Sequence, residues 1–143
     1  MSTSNRRVLM PIVDGFEQTE ALATVDILRR AGVEVVTAGV GKRSATSSHG
    51  VTIETDALVD DVLVQPWDAI VLPGGPGTPR LNEVAGLHDR LRAHAAGGKL
   101  TAAICAAPSV LAAAGLLDGR TAACHPSVEQ ALASSGARVV REA

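Results

Sequence analysis

Cys105 stands in the run Ala102-Ala103-Ile104-Cys105-Ala106-Ala107-Pro108, where small residues predominate around the sulfur. A thiol at the end of an apolar strand and the start of a helix can act as a nucleophile. Amide N–H groups of a helix begun near Ala107, with the positive end of its dipole, would favour the thiolate. The turn follows the logic of a nucleophile elbow, although it lacks that motif's glycine pattern. A lone cysteine after an apolar strand also packs well as an inert core residue, and the local sequence leaves both readings standing.

Glu20 falls about one helical turn after the end of the first apolar run, within reach of such a site. The plainer alternative is a solvated acid favoured by the helix dipole, a role that Glu17 fits better. Pro73-Gly74-Gly75 can present backbone amides to an oxyanion or can simply turn the chain. His125, before Pro126, suits a base, a hydrogen-bond partner or a helix-entry residue. Cys105, Cys124 and His125 have neither Cys-x-x-Cys nor His-x-x-x-His spacing, so no metal is expected.

These residues need a scaffold that brings them together. Apolar runs alternate with helical periodicity, and Gly, Pro or Asp marks each switch, which predicts an α/β fold with a parallel sheet covered by helices on both faces. Strands are expected at Val8–Val13, Val33–Ala38, Ala69–Leu72 (central), Leu100–Ile104 (buried), Thr121–Ala123 and Arg138–Val140. Helices are expected at about Glu17–Ala31, Gly86–Ala96, Ala107–Ala114 and Ser127–Ser135. Gly41–Gly50 reads as a loop or edge turn and Val51–Thr55 as a short edge strand. In an open parallel sheet, ligands bind outside the carboxyl ends of the strands. Gly15–Glu20, Pro73–Gly77 and Cys105 all follow strands, so they should cluster there.

The 143 residues contain no linker, repeat or low-complexity stretch, which suits one domain spanning 1–143. The core must be aliphatic, because the chain has one Trp, one Phe and no Tyr. A net charge of −2 with scattered arginines leaves no basic field for nucleic acid. No run reaches membrane-spanning length, and the polar lead Met1–Arg7 before the short, proline-interrupted run Val8–Val13 does not fit a signal peptide. Two cysteines in a signal-free chain are expected as free thiols in a reducing, cytoplasmic compartment.

Four motifs, Asp14-Gly15-Phe16-Glu17-Gln18-Thr19-Glu20, Val71-Leu72-Pro73-Gly74-Gly75, Ala103-Ile104-Cys105-Ala106-Ala107-Pro108 and Cys124-His125-Pro126, resemble in order and spacing the ThiJ/PfpI superfamily. Within it the resemblance is to the branch of the Parkinson-disease-associated protein deglycase. It implies a flavodoxin-like three-layer sandwich, a homodimer, no cofactor, and a nucleophile on a strained elbow at Cys105. It places a protonated glutamate at Glu20, oxyanion glycines at Gly74 and Gly75, and the family's histidine at His125. A protonated Glu20 donating to the Cys105 sulfur would favour the thiolate, and amides near Gly75 and Ala106 would stabilise an oxyanion.

The activity so implied is a glutathione-independent glyoxalase or deglycase acting on methylglyoxal-like α-oxoaldehydes or their adducts. The alternative is a redox-responsive stress protein or chaperone that senses oxidants through Cys105. Ala106 stands where the protease-like branch has a histidine, which disfavours a peptidase. The segment near His49 lacks an arginine often found in similar chains. Related chains usually continue with a further strand, a Gly-rich turn and a C-terminal helix, so either a fragment or a shortened fold is expected, with apolar surface on one sheet face left uncovered.

Overall fold

Arg7–Ile12 forms β1, and Asp14-Gly15 turns the chain into α1, Gln18–Arg30. The structure, a computed structural model, describes residues 5–142; Met1–Ser4 of the polar lead and Ala143 lie outside the described residues. Glu34–Gly39 is β2, Ser44–Thr46 and Thr52–Glu54 are β3 and β4, and Ala57–Leu58 is β5, which runs straight into the short helix α2, Val59–Val62. Then come β6 (Ala69–Leu72), α3 (Leu87–Ala96), β7 (Leu100–Ala103), α4 (Pro108–Ala113), β8 (Thr121–Ala122), α5 (Glu129–Ser134) and β9 (Arg138–Val139).

Five strands make one sheet in the order β5-β2-β1-β6-β7, and every pairing in it is parallel. From β1 the chain moves outward to β2, then crosses back to β6 on the other side. The crevice where strand order reverses therefore lies at the carboxyl ends of β1 and β6. Among the described residues no helix is long and apolar enough to cross a membrane.

Side chains alternate along each strand, so the sheet builds two cores. Val8, Met10 and Ile12 of β1 join Val35 and Ala69 on one face, where Phe16 and the α1 residues Ala21 and Val25 cover them. Leu9, Ala38, Ile70 and Leu72 face the other way, onto Val62, Leu87, Leu91, Val110 and Leu132 from α2, α3, α4 and α5. Helices thus cover both faces, but unequally: among the described residues one face has four helices and the other has α1 alone.

That inequality corrects the expectation of a buried strand at Leu100–Ile104. β7 is the sheet edge, and Leu100 and Ile104 are 62% and 51% exposed, on the face that α1 leaves bare. Two further expectations change. Val51–Thr55 does not extend the main sheet; Thr52–Glu54 pairs antiparallel with Ser44–Thr46 in a separate hairpin. The strands near 121 and 138 likewise pair only with each other. A hydrophobic dye should bind the chain, and the double variant Leu100→Gln, Ile104→Gln should lose most of that fluorescence. Equal binding by parent and variant would show that these side chains form no apolar patch.

Candidate active site

Cys105 follows β7 by two residues and adopts φ +63°, the one non-glycine residue with positive φ among the described residues. That left-handed conformation costs an L-residue roughly 1–2 kcal/mol, so its surroundings must impose it. They do so through the backbone. The Ile104 amide donates to the Leu72 carbonyl at 3.3 Å, the Ala107 amide to Ile104 at 3.0 Å, and the His125 amide to the Cys105 carbonyl at 2.6 Å. The sharp turn out of the sheet leaves the sulfur half-buried beside Glu20 and the amides of Gly75 and Ala106.

The expectation that a helix N-terminus serves the sulfur needs correction. Pro108, the first residue of α4, has no N–H. The amides of Ala107, Ser109 and Val110 donate to the carbonyls of Ile104, Ala106 and Ala107. Of this turn, the Ala106 amide is the one that meets the sulfur, and the second comes from Gly75 on another loop.

Glu20 occupies the third position of α1, where a glutamate ordinarily reaches back to the amide of the capping residue. Here it does not. Glu17 caps the helix, its Oε2 accepting from the Glu20 amide at 2.8 Å, and the Glu17 amide donates to the Gly74 carbonyl at 2.9 Å. The Glu20 side chain is thereby free to turn inward, and its Oε2 accepts from the Gly74 amide at 2.8 Å. Gly74 is wedged between the two reactive groups. A Cβ there would sit 2.7 Å from Cys105 Cβ and 2.8 Å from Glu20 Oε2. Burial, then the hydrogen bond and charge of Glu20, push the Cys105 thiol up, while the amides of Ala106 and Gly75 pull it down.

The β3–β4 hairpin, where the sequence predicts a loop or edge turn followed by a short edge strand, supplies a wall of the site. Asp14 Oδ1 accepts from the Thr46 amide at 2.9 Å and Lys42 Nζ lies 2.9 Å from Asp14 Oδ2. The Gly15 amide donates to Thr46 and the Ser48 amide to Phe16. The Thr46 amide first, then Lys42, hold the Asp14 carboxyl below its ordinary range. So anchored, Ser48 and His49 face Cys105, Ala106, Gly75, His125 and Ser127 across an open cleft of about 580 Å³. Glu17, Ser48, His49 and Ser127 were not singled out from sequence as site residues. The one available signal was the polar Ser47-Ser48-His49-Gly50 turn between two β-prone triplets.

The structure therefore brings Glu20, Gly74, Gly75, Cys105, Ala106 and His125 together at one end of the sheet. It leaves Cys124 out. That thiol, half-buried and pushed up by burial and by Glu129, lies in a separate recess with Pro126, Glu129 and Arg141. Among the described residues no group of three or more His, Cys, Asp or Glu side chains converges on a common point.

A parallel sheet with a strained cysteine at its carboxyl edge, facing a glutamate across a Gly-Gly turn, defines a class of α/β protein. Residues 6–143 match the sequence profile of the DJ-1/PfpI family, and the chain belongs to that family. It is 36% identical over 142 residues to the DJ-1 homolog B of Arabidopsis thaliana, a match covering 97% of this chain and 32% of the relative. It is 34% identical to a glutathione-independent glyoxalase of Caenorhabditis elegans, over 90% of this chain and 68% of that one. Identity to a deglycase of Pyrococcus abyssi is also 34%, over 91% and 78% of the two chains. The crystal structure of Drosophila melanogaster DJ-1beta superposes with a TM-score of 0.91 at 34% identity, covering 97% of this chain and 75% of the other. The chain spans about a third of the length of the Arabidopsis relatives.

Proposed function

We propose that the chain is a cysteine-dependent enzyme that converts methylglyoxal-like α-oxoaldehydes, free or as adducts, to hydroxy acids without glutathione. The observation that carries this reading is the Cys105 sulfur, flanked by the Glu20 carboxyl and the amides of Gly75 and Ala106 in an open cleft. The relatives named glyoxalase and deglycase support it.

A carboxylate beside a thiolate opposes it, as the upward push on Cys105 expresses. One proton held between the two groups removes the conflict: Glu20 keeps the proton and donates it as a hydrogen bond, and the sulfur carries the charge. The thiolate adds to the aldehyde carbon. A C–S bond forms, and the carbonyl π pair moves to oxygen, where the Gly75 and Ala106 amides meet it. Protonation gives a hemithioacetal. Transfer of the C1 hydrogen to C2 as a proton, through an enediol, gives a thioester of the hydroxy acid. Water then cleaves the C–S bond, so that aldehyde plus water becomes hydroxy acid and the thiol is regenerated. Glu20 and His125 are the two candidates for moving the C1 proton.

The half-exposed sulfur favours one other reading, oxidation to sulfinate in a redox-responsive protein. Methylglyoxal supplied without glutathione separates them. Enzymatic lactate, lost on peroxide treatment that oxidises Cys105, is the expected result. No lactate, with Cys105 cleanly converted to sulfinate by peroxide, would favour the sensor.

A further inference from the structure

His125 enters the family resemblance as a histidine of open role, and the structure narrows that role. Its ring caps the 3-10 turn at Pro126–Val128: Nδ1 accepts from the Ser127 amide at 3.2 Å. The Ser127 hydroxyl lies 2.8 Å from the same nitrogen. An amide N–H can only donate, so in the neutral ring Nδ1 carries no proton. The hydroxyl can then donate to it as well. With Nδ1 turned to Ser127, the ring proton must sit on Nε2, and Nε2 is the ring nitrogen left for a molecule bound in the cleft that His125 lines.

We infer that His125 serves the cleft as a fixed hydrogen-bond donor through Nε2–H, with Ser127 as the residue that positions it, and that it is not the base that removes the substrate proton. The inference rests on the α-oxoaldehyde reading for its substrate. Such a molecule has two adjacent oxygens. The Gly75 and Ala106 amides meet the oxygen on the attacked carbon, and the Nε2–H is matched to the oxygen on the neighbouring carbon, where charge builds as the C1 proton leaves. A neutral ring with its Nε2 already protonated has no lone pair to offer there. The C1 proton accordingly falls to Glu20, once its own proton has passed to the oxyanion.

A backbone bond ties the two residues together, because the His125 amide donates to the Cys105 carbonyl and holds the two chain segments side by side. Two measurements test the inference. The first is the ¹⁵N spectrum of the histidine-labelled chain above the titration of its four imidazoles, with the His125 signals assigned by their loss in His125→Gln. A pyrrole-type Nε2 and a pyridine-type Nδ1 are expected; the reverse tautomer overturns the inference. The second is turnover of methylglyoxal. Glutamine carries an amide N–H near the Nε2 position but cannot act as a base, so His125→Gln should stay within about threefold of the parent in kcat, while His125→Leu falls by about ten- to a hundredfold. Equal losses in Gln and Leu, with both variants folded, overturn the donor role. If the parent itself makes no lactate, the glyoxalase reading fails, and the tautomer in the spectrum still decides whether His125 is a donor.

Discussion

Replacing Cys105 with glycine should give a chain more stable than the Cys105→Ala variant by about 1 kcal/mol, although both remove the same sulfur. At an ordinary position the sign is opposite, because glycine gains more freedom in the unfolded chain than alanine does. At φ +63° a Cβ meets the following carbonyl, and that cost outweighs the unfolded-state term. Both variants should lose α-oxoaldehyde turnover by about a thousandfold or more, since no other described thiol lines the cleft. A residue that costs stability where it stands, and whose loss removes activity, carries the signature of a strained functional elbow. Denaturant midpoints of the two variants read the first half. An alanine variant as stable as the glycine one would mean that the elbow is not strained.

Gly74→Ala should be a single-methyl change that strikes the reactive pair directly. The added Cβ would lie 2.7 Å from Cys105 Cβ, 2.8 Å from Glu20 Oε2 and 2.9 Å from the Ile104 carbonyl oxygen. Two of these neighbours belong to the reactive pair and the third to the strand end that carries it, so none can yield without moving the chemistry. Overpacking of this kind costs about 1–3 kcal/mol. A displacement near 1 Å between Glu20 and Cys105 should lower turnover about a hundredfold. Gly98→Ala is the control: its φ is +72° but nothing lies within 4 Å of the added methyl, so it should cost about 1 kcal/mol and leave turnover alone. If Gly74→Ala matched the control in both measurements, the close packing of Gly74 against the pair would be wrong.

The strands that hold the site were legible because physical punctuation bounds them. Ala69–Leu72 is an apolar run closed by Asp68 and Pro73, and it forms β6 with those same limits. The clustering of three loops at the carboxyl edge followed from the parallel topology alone. The β3–β4 hairpin was only half legible: Thr52–Glu54 lies within the short strand expected at Val51–Thr55, but its partner Ser44–Thr46 is a triplet without an apolar period inside a polar stretch. The edge position of β7 was missed for the opposite reason: an apolar edge strand reads like a central one, and only strand order tells them apart. Residue types indicated a thiol and a carboxyl near one another. They could not say that Glu17 takes over the cap and so releases Glu20 toward Gly74, nor that Ser127 occupies Nδ1 of His125. Those are choices among hydrogen-bond partners, and such choices are made by the tertiary structure.

The central claim is that Glu20 holds the proton and Cys105 the charge. Alkylation of the chain by iodoacetamide across a pH series, with peptide mapping, tests it in the parent and in the Glu20→Gln and Glu20→Leu variants. Cys105 should react before Cys124. Glutamine keeps a donor for the thiolate, so its midpoint should stay close to the parent's, whereas leucine removes the donor and should raise the midpoint by about one to two units. A midpoint that falls in Glu20→Leu would show Glu20 to be an anion opposing the sulfur, and that result, or preferential labelling of Cys124, would contradict the account.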